Sequence, residues 1–323
     1  MEKTPEFDLV KITGMTEWRV ADDQREEPED CLAMAVAAAR ECLERSRYNA
    51  DQVDVVISCS ITRTMEDRNF QFEPSFAFRI AQEVGAAAAV HFDVSNACAG
   101  VMTGVYLLDR MIRSGIVRTG LVVSGEHITP IAFTAAREME NSRDSQFASL
   151  SVGDAAVAVL VDRATDEADV IHEVEMMTCS EYSHLCLGMP SESTGDLAMY
   201  TNNKEMHAQD RLSLWPSFQR NKLAEAGRKF ADEDYDFIVQ HQVGSRFVEY
   251  MNQMGEKILE ASMPESLSLL DKFANTASTS HCLVLHQALA ENRIPKGSKV
   301  LLVPAASGIV TGFLSATISS LKV

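Results

Sequence analysis

Cys98 stands in the setting that most favours a reactive thiol. Asn96-Ala97-Cys98-Ala99-Gly100 falls between a strand that ends at Val94 and a helical pattern that runs to Ser114 and is closed by Gly115. A sulfur at a helix start meets unsatisfied backbone N–H groups and the positive end of the helix dipole, which stabilise an anion and favour the nucleophilic thiolate. By residue type alone a cysteine is more often a small core residue; the strand-turn-helix context reverses that preference. A cysteine nucleophile needs a proton carrier, and of the eight histidines His241 follows the strand Asp236–Gln240 at its carboxyl end, where open α/β sheets place ligands. His127 also follows a strand, while the other histidines read as structural or solvated. Asn275 opens a helical pattern resembling the one that Cys98 opens, although an ordinary N-cap would look the same. Ser307-Gly308-Ile309-Val310-Thr311-Gly312 follows a further strand end, and its N–H groups, with that of Cys98, fit an oxyanion hole or a plain tight turn.

The elements that must position these residues alternate between strand and helix, and the apolar strand runs are nearly continuous, as in sheets buried on both faces. Strands are expected at Val53–Cys59, Val90–Val94, Leu121–Ser124 and Ser151–Leu160. Helices are expected from Pro28 through Cys42, from Phe76 to Val84 and from Cys98 to Ser114. Glu126 to Leu150 reads as a long polar loop, a length usually reserved for function. The second half repeats the order, with strands at Asp236–Gln240, Ser298–Val303 and Thr311–Val323 and the Asn275 helix between them. Two copies of one α/β unit are therefore expected, residues 1–165 carrying the cysteine and 166–323 the histidine and asparagine.

The 323 residues carry 47 acidic and 29 basic side chains, a net charge of −18, which argues against nucleic-acid binding. No apolar run reaches the roughly 20 residues of a membrane span, and the opening residues lack a secretory pattern. Seven scattered cysteines fit reduced thiols and a cytoplasmic chain. Walker, dinucleotide and metal-ligand spacings are absent, so neither a metal nor a tightly bound cofactor is expected.

Phe92 to Gly100 with Arg113-Ser114-Gly115 resembles the active-site segment of β-ketoacyl-acyl-carrier-protein synthase III of the thiolase superfamily. His241-Gln242-Val243-Gly244-Ser245-Arg246 resembles its His-Gln-Ala-Asn-x-Arg segment, Phe273 to Ser278 its Gly-Asn-Thr-Ser-Ala segment, and Gly153-Asp154-Ala155-Ala156 its Gly-Asp-Gly-Ala turn. The resemblance implies a five-layered α-β-α-β-α fold and a homodimer. It implies a Cys98-His241-Asn275 site in which Cys98 takes an acyl group from coenzyme A or an acyl carrier protein and condenses it with a second thioester. It further implies an oxyanion hole from Cys98 and Gly308 or Ile309, and carrier docking by Arg246. Three departures accompany it: Ser307 to Phe313 replaces a glycine-rich end, few residues precede Thr13-Gly14-Met15, and Gly244 replaces an asparagine. They point to a divergent, secondary-metabolite branch. Transfer of the acyl group to oxygen or nitrogen is the nearest alternative, and a non-catalytic thiolase-fold partner subunit a remote one.

Overall fold

The computed structural model describes residues 8–22, 29–65, 69–71, 73–164 and 169–323. Pro28 and the expected boundary between residues 165 and 166 lie outside them. The first sheet holds β1 (Val55–Ser58), β2 (Val90–Asp93), β3 (Thr119–Glu126) and β4 (Ala155–Asp162) in the order β2-β1-β3-β4. The first three strands are parallel and β4 is antiparallel to β3. The second sheet begins with β5 (Val170–Thr178). A separate hairpin of β6 (Cys186–Pro190) and β7 (Leu197–Thr201) follows, and then β8 (Phe237–Gln240), β9 (Glu265–Ser266), β10 (Ser298–Val303), β11 (Ala305–Ala306) and β12 (Val310–Ile318). Its order is β9-β8-β10-β12, with β5 on the far side of β12 and β11 turning back on β12. The parallel and antiparallel pairings of β8, β9, β10 and β12 repeat those of β1, β2, β3 and β4. Nothing among the described residues flanks β4 as β5 flanks β12, and a cavity of about 1210 Å³ follows that side of β4.

Helices fill three layers around the two sheets. On the outer face of the first sheet lie α1 (Cys31–Arg45), capped by the Asp30 carboxylate on Ala33 N at 2.8 Å, and α2 (Phe76–Val84). Cys31, Ala35, Val36, Ala39, Phe76, Ala77 and Ile80 recur at helical spacing and meet Val56, Leu121 and Val123 of the sheet. Burial of each large side chain in that interface contributes about 1.5–3 kcal/mol. Between the sheets lie α3 (Gly100–Arg113), which touches β3, β4 and β5, and, after α4 (Thr129–Glu138), α5 (Leu214–Glu225) and α6 (Ser245–Leu259), the helix α7 (Ser280–Ala290), which touches β4 and β8. Both middle helices are apolar around most of their girth, as that position demands. The outer face of the second sheet is covered by α5 and α6, around fully buried Trp215 and Phe313.

Two expectations are corrected. Residues 126–150 are not one polar loop: α4 occupies the middle, and a 3-10 turn, Phe147–Ser151, follows. Pro130 suits the first turn of α4, and buried Asp154 accepts from Ile128 N at 2.7 Å and Thr129 N at 2.8 Å, supplying the partners that a helix start lacks. That clamp also explains why the strand expected from Ser151 begins only at Ala155.

Candidate active site

Cys98 sits in a 3-10 turn, Ala97–Ala99, that joins β2 to α3. Ala97 is held at φ 45°, a left-handed conformation that costs a non-glycine residue free energy and aims the next side chain off the strand. Asn96 fixes the turn from below, donating through Nδ2 to Thr103 Oγ1 at 2.8 Å. The start of the second middle helix repeats this elbow. Ala277 has φ 54° in the 3-10 turn Ala277–Thr279, so Thr276-Ala277-Ser278 mirrors Asn96-Ala97-Cys98, and Ser278 stands where Cys98 stands. The two turns touch, with Cys98 packed against Ala277.

Asn275 is not an N-cap. It pairs with Val152 as an isolated bridge, its N–H donating to Ser151 O at 2.9 Å and its carbonyl accepting from Gly153 N at 3.0 Å. Its side-chain Oδ1 accepts from Ala277 N at 3.0 Å, which leaves the Nδ2 amide to donate elsewhere. A Cβ on Gly153 would come within 2.3 Å of Phe273 O, so only glycine admits this approach of the two chains.

His241 follows β8, anchored by its N–H on Val303 O at 3.1 Å, and its ring stacks on that of His281 at 5.9 Å between centroids. Both rings are buried. His281 Nε2 bonds Val303 O at 3.0 Å, while the Nδ1 atoms of both His241 and His281 have no hydrogen-bond partner. Burial and then the neighbouring His281 lower the His241 pKa to about 3, and burial lowers that of His281 to about 4. His281 was read from the sequence as structural. It is the ring that fixes the surroundings of His241, and its place at the start of α7 was the signal available.

The expectation of a thiolate at Cys98 is overturned. Its thiol is pushed up to about 12, first by burial and then by Cys186 and the Glu126 carboxylate. The cause is the apolar wall around it: Ile128, Ile131, Val152 and Ala277, with Ile61, Ala132, Leu197 and Met199 packed alongside. Here the low-polarity enclosure outweighs the helix start. In the sequence α4 is part of the functional loop expected at Glu126 to Leu150, yet it and the β6–β7 hairpin build much of that wall. The spacing of Ile128, Ile131 and Ala135 around Pro130 was the legible sign of a helix.

The β11–β12 turn reaches the same place, with Ala306 and Val310 packed against Ala97, Cys98 and Ala99. Of the two expected oxyanion donors in it, Ile309 is excluded. Its N–H donates to Cys179 O at 2.9 Å and its carbonyl accepts from Cys179 N at 2.7 Å, because the turn is stitched to the end of β5. Gly308, at φ 128°, remains the candidate. Arg246 lies apart, exposed in the first turn of α6, and Gly244 before it has φ 171°, an extended conformation open to any residue. No cluster of metal-ligating side chains exists among the described residues.

This chain is similar to known proteins of one family. The model of 3-oxoacyl-[acyl-carrier-protein] synthase III matches residues 92–179, and the model of its C-terminal part matches residues 223–318, together more than half of the chain. A β-ketoacyl-[acyl-carrier-protein] synthase III of Clostridium novyi is 25% identical over 312 residues, 93% of this chain and 86% of the relative. That of Aquifex aeolicus is 26% identical over 317 residues, 95% and 92% of the two chains. The crystal structure of 3-oxoacyl-[acyl-carrier-protein] synthase III from Aquifex aeolicus superimposes with a TM-score of 0.74 at 22% identity, covering 96% of this chain and 90% of that one. A variant of Xanthomonas campestris OleA with bound lauric acid and lauroyl-CoA reaches 0.79 at 19% identity, covering 96% and 88%. The two sheets and three helical layers are thus the thiolase-like α-β-α-β-α fold. The chain belongs to the 3-oxoacyl-[acyl-carrier-protein] synthase III family of enzymes.

Proposed function

We propose that this enzyme loads an acyl group from a coenzyme A or acyl-carrier-protein thioester onto Cys98 and joins it to a second thioester by Claisen condensation. What supports the reading is the contact of the Cys98 elbow with the turn Ala277–Thr279 that follows Asn275, together with the buried, neutral pair of His241 and His281, the second of which lies on the helix that this turn opens. At rest the pair is thiol and imidazole, so the proton passes from Cys98 to His241 as sulfur attacks the donor carbonyl, and His241 returns it to the coenzyme A or carrier sulfur as the donor's C–S bond breaks, ending neutral again. The Cys98 and Gly308 N–H groups receive the carbonyl oxygen. In the second step neutral His241 and the Asn275 amide donate to the oxygen of the second thioester as loss of its α-carboxyl as CO2, or of an α-proton, puts charge there; the α-carbon then attacks the acyl carbonyl and the Cys98 C–S bond breaks, returning the cysteine. The acyl chain runs into the wall of α4 and the β6–β7 hairpin, and the lauroyl-CoA bound to OleA supports a medium or long chain as donor. Arg246, exposed on an acidic molecule, receives the anionic arm of the carrier. Strand β2, an edge whose Val90 is 59% exposed, is the pairing surface of a homodimer.

Intact-mass measurement after incubation with acyl-CoA and acyl-carrier donors tests this. Wild type gains one acyl mass and Cys98→Ala gains none. An adduct that persists in Cys98→Ala, or no adduct with any donor, defeats the proposal, and an adduct without a carbon–carbon product redirects it to oxygen or nitrogen acceptors.

A further inference from the structure

Glu126, the last residue of β3, is fully buried and bonded on every side. Its carboxylate accepts from Ile61 N at 2.9 Å, Thr62 N at 3.1 Å, Thr62 Oγ1 at 2.9 Å and Ser124 Oγ at 3.1 Å. Its shortest bond is to Ser278 Oγ, which Ser124 Oγ also meets at 2.7 Å. Thr62 Oγ1 itself accepts from His127 N at 3.1 Å, so its proton is free to go to Glu126. Burial raises the Glu126 pKa above the usual carboxylate range, and the donations from Ile61 N, Ser278 Oγ and Thr62 oppose that rise and favour the carboxylate.

Ser278 belongs to the opposite half. It lies three residues beyond Asn275, in the elbow that mirrors the Cys98 elbow. The two elbows are in close contact: a Cβ on Gly100, two residues beyond Cys98, would meet Cys59 O at 2.7 Å and Ser278 Cβ at 3.5 Å. A single buried side chain therefore ties the segment after β1, the end of β3 and the turn that carries Asn275.

We infer that Glu126 is a positioning residue for the second half-reaction: through Ser278 its carboxylate holds the Asn275 turn in register with Cys98. The inference rests on the reading of Cys98 as acyl carrier. The same buried negative charge opposes ionisation of the neighbouring thiols of Cys98 and Cys59. Loading of Cys98 does not use the Asn275 amide, whereas condensation does, so the two steps respond differently when the tether is cut.

The test compares Glu126→Gln, Ser278→Ala and the double variant by acyl-adduct formation, condensation rate and the pH dependence of Cys98 alkylation by iodoacetamide. Condensation is expected to fall roughly tenfold to a hundredfold in each single variant, because misplacement of about 1 Å costs that much, while loading stays within about threefold of wild type. The double variant is expected to be no slower than the worse single variant, as for two partners in one bond. Alkylation in Glu126→Gln, but not in Ser278→Ala, is expected to move to lower pH. Unchanged condensation, equal loss in both steps, additive losses, or an alkylation profile unmoved in Glu126→Gln overturns the inference. If wild type forms no adduct, the acyl-carrier reading fails by itself, and the alkylation profile still decides whether a buried charge sits beside Cys98.

Discussion

With Cys98 pushed up to about 12 and His241 down to about 3, both side chains are uncharged at neutral pH, a thiol and an imidazole. A neutral imidazole keeps an N–H to donate and carries no charge for the second thioester to desolvate. Its consequence for stability has a definite sign. His241 and His281 bind protons near 6.5 in the unfolded chain but only near 3 and 4 when folded, so between these limits the unfolded state holds more protons. Stability is greatest above about pH 6.5 and falls as the pH drops, each histidine adding up to about 1.4 kcal/mol per pH unit. Urea unfolding from about pH 7 to 4.5 should show the midpoint dropping, with a shallower slope in His281→Gln. Equal slopes in the two proteins would show that His281 is not held neutral by the fold.

At the scale of elements, the site depends on how closely strand ends and helix starts approach. Gly153, at the entry to β4, lies against the carbonyl of Phe273, and the bridge between Val152 and Asn275 sits beside that contact. Gly153→Ala forces backbone against backbone, costs about 1–3 kcal/mol as other overpacked sites do, and shifts Asn275. Condensation should fall by more than Cys98 loading falls, and a variant with both rates intact would show that the loop yields without moving Asn275. Much of this was legible in the sequence. Helix Phe76–Val84 and strand Ser298–Val303 are found where their apolar spacing puts them, and the mirrored starts of α3 and α7 show in Asn96-Ala97-Cys98 and Thr276-Ala277-Ser278. What escaped is set by tertiary contact. The thiol of Cys98 is governed by walls from α4 and the β6–β7 hairpin, the N–H of Ile309 by a strand more than a hundred residues away, and the carboxylate of Glu126 by a serine from the other half. The helix α4 shows in local spacing, but none of these contacts does.

At the scale of the molecule, two copies of one unit face each other across a layer of two helices, yet their sheets differ. The second sheet is flanked by β5 beyond β12, while among the described residues the first ends at β4. Both edges of the first sheet, β2 and β4, present backbone groups to pair, and a homodimer built on β2 occupies only one of them. Hydrogen exchange distinguishes them. In a particle of about twice 35.6 kDa, amides of β2 should become protected while the outward amides of β4 exchange within the fastest class of the sheet. Protection of β4 instead would move the subunit contact to that side. The edge left unmatched among the described residues thus gives the molecule two clocks: a slow one in the strands around Glu126, where both elbows are held, and a fast one along the outer side of β4.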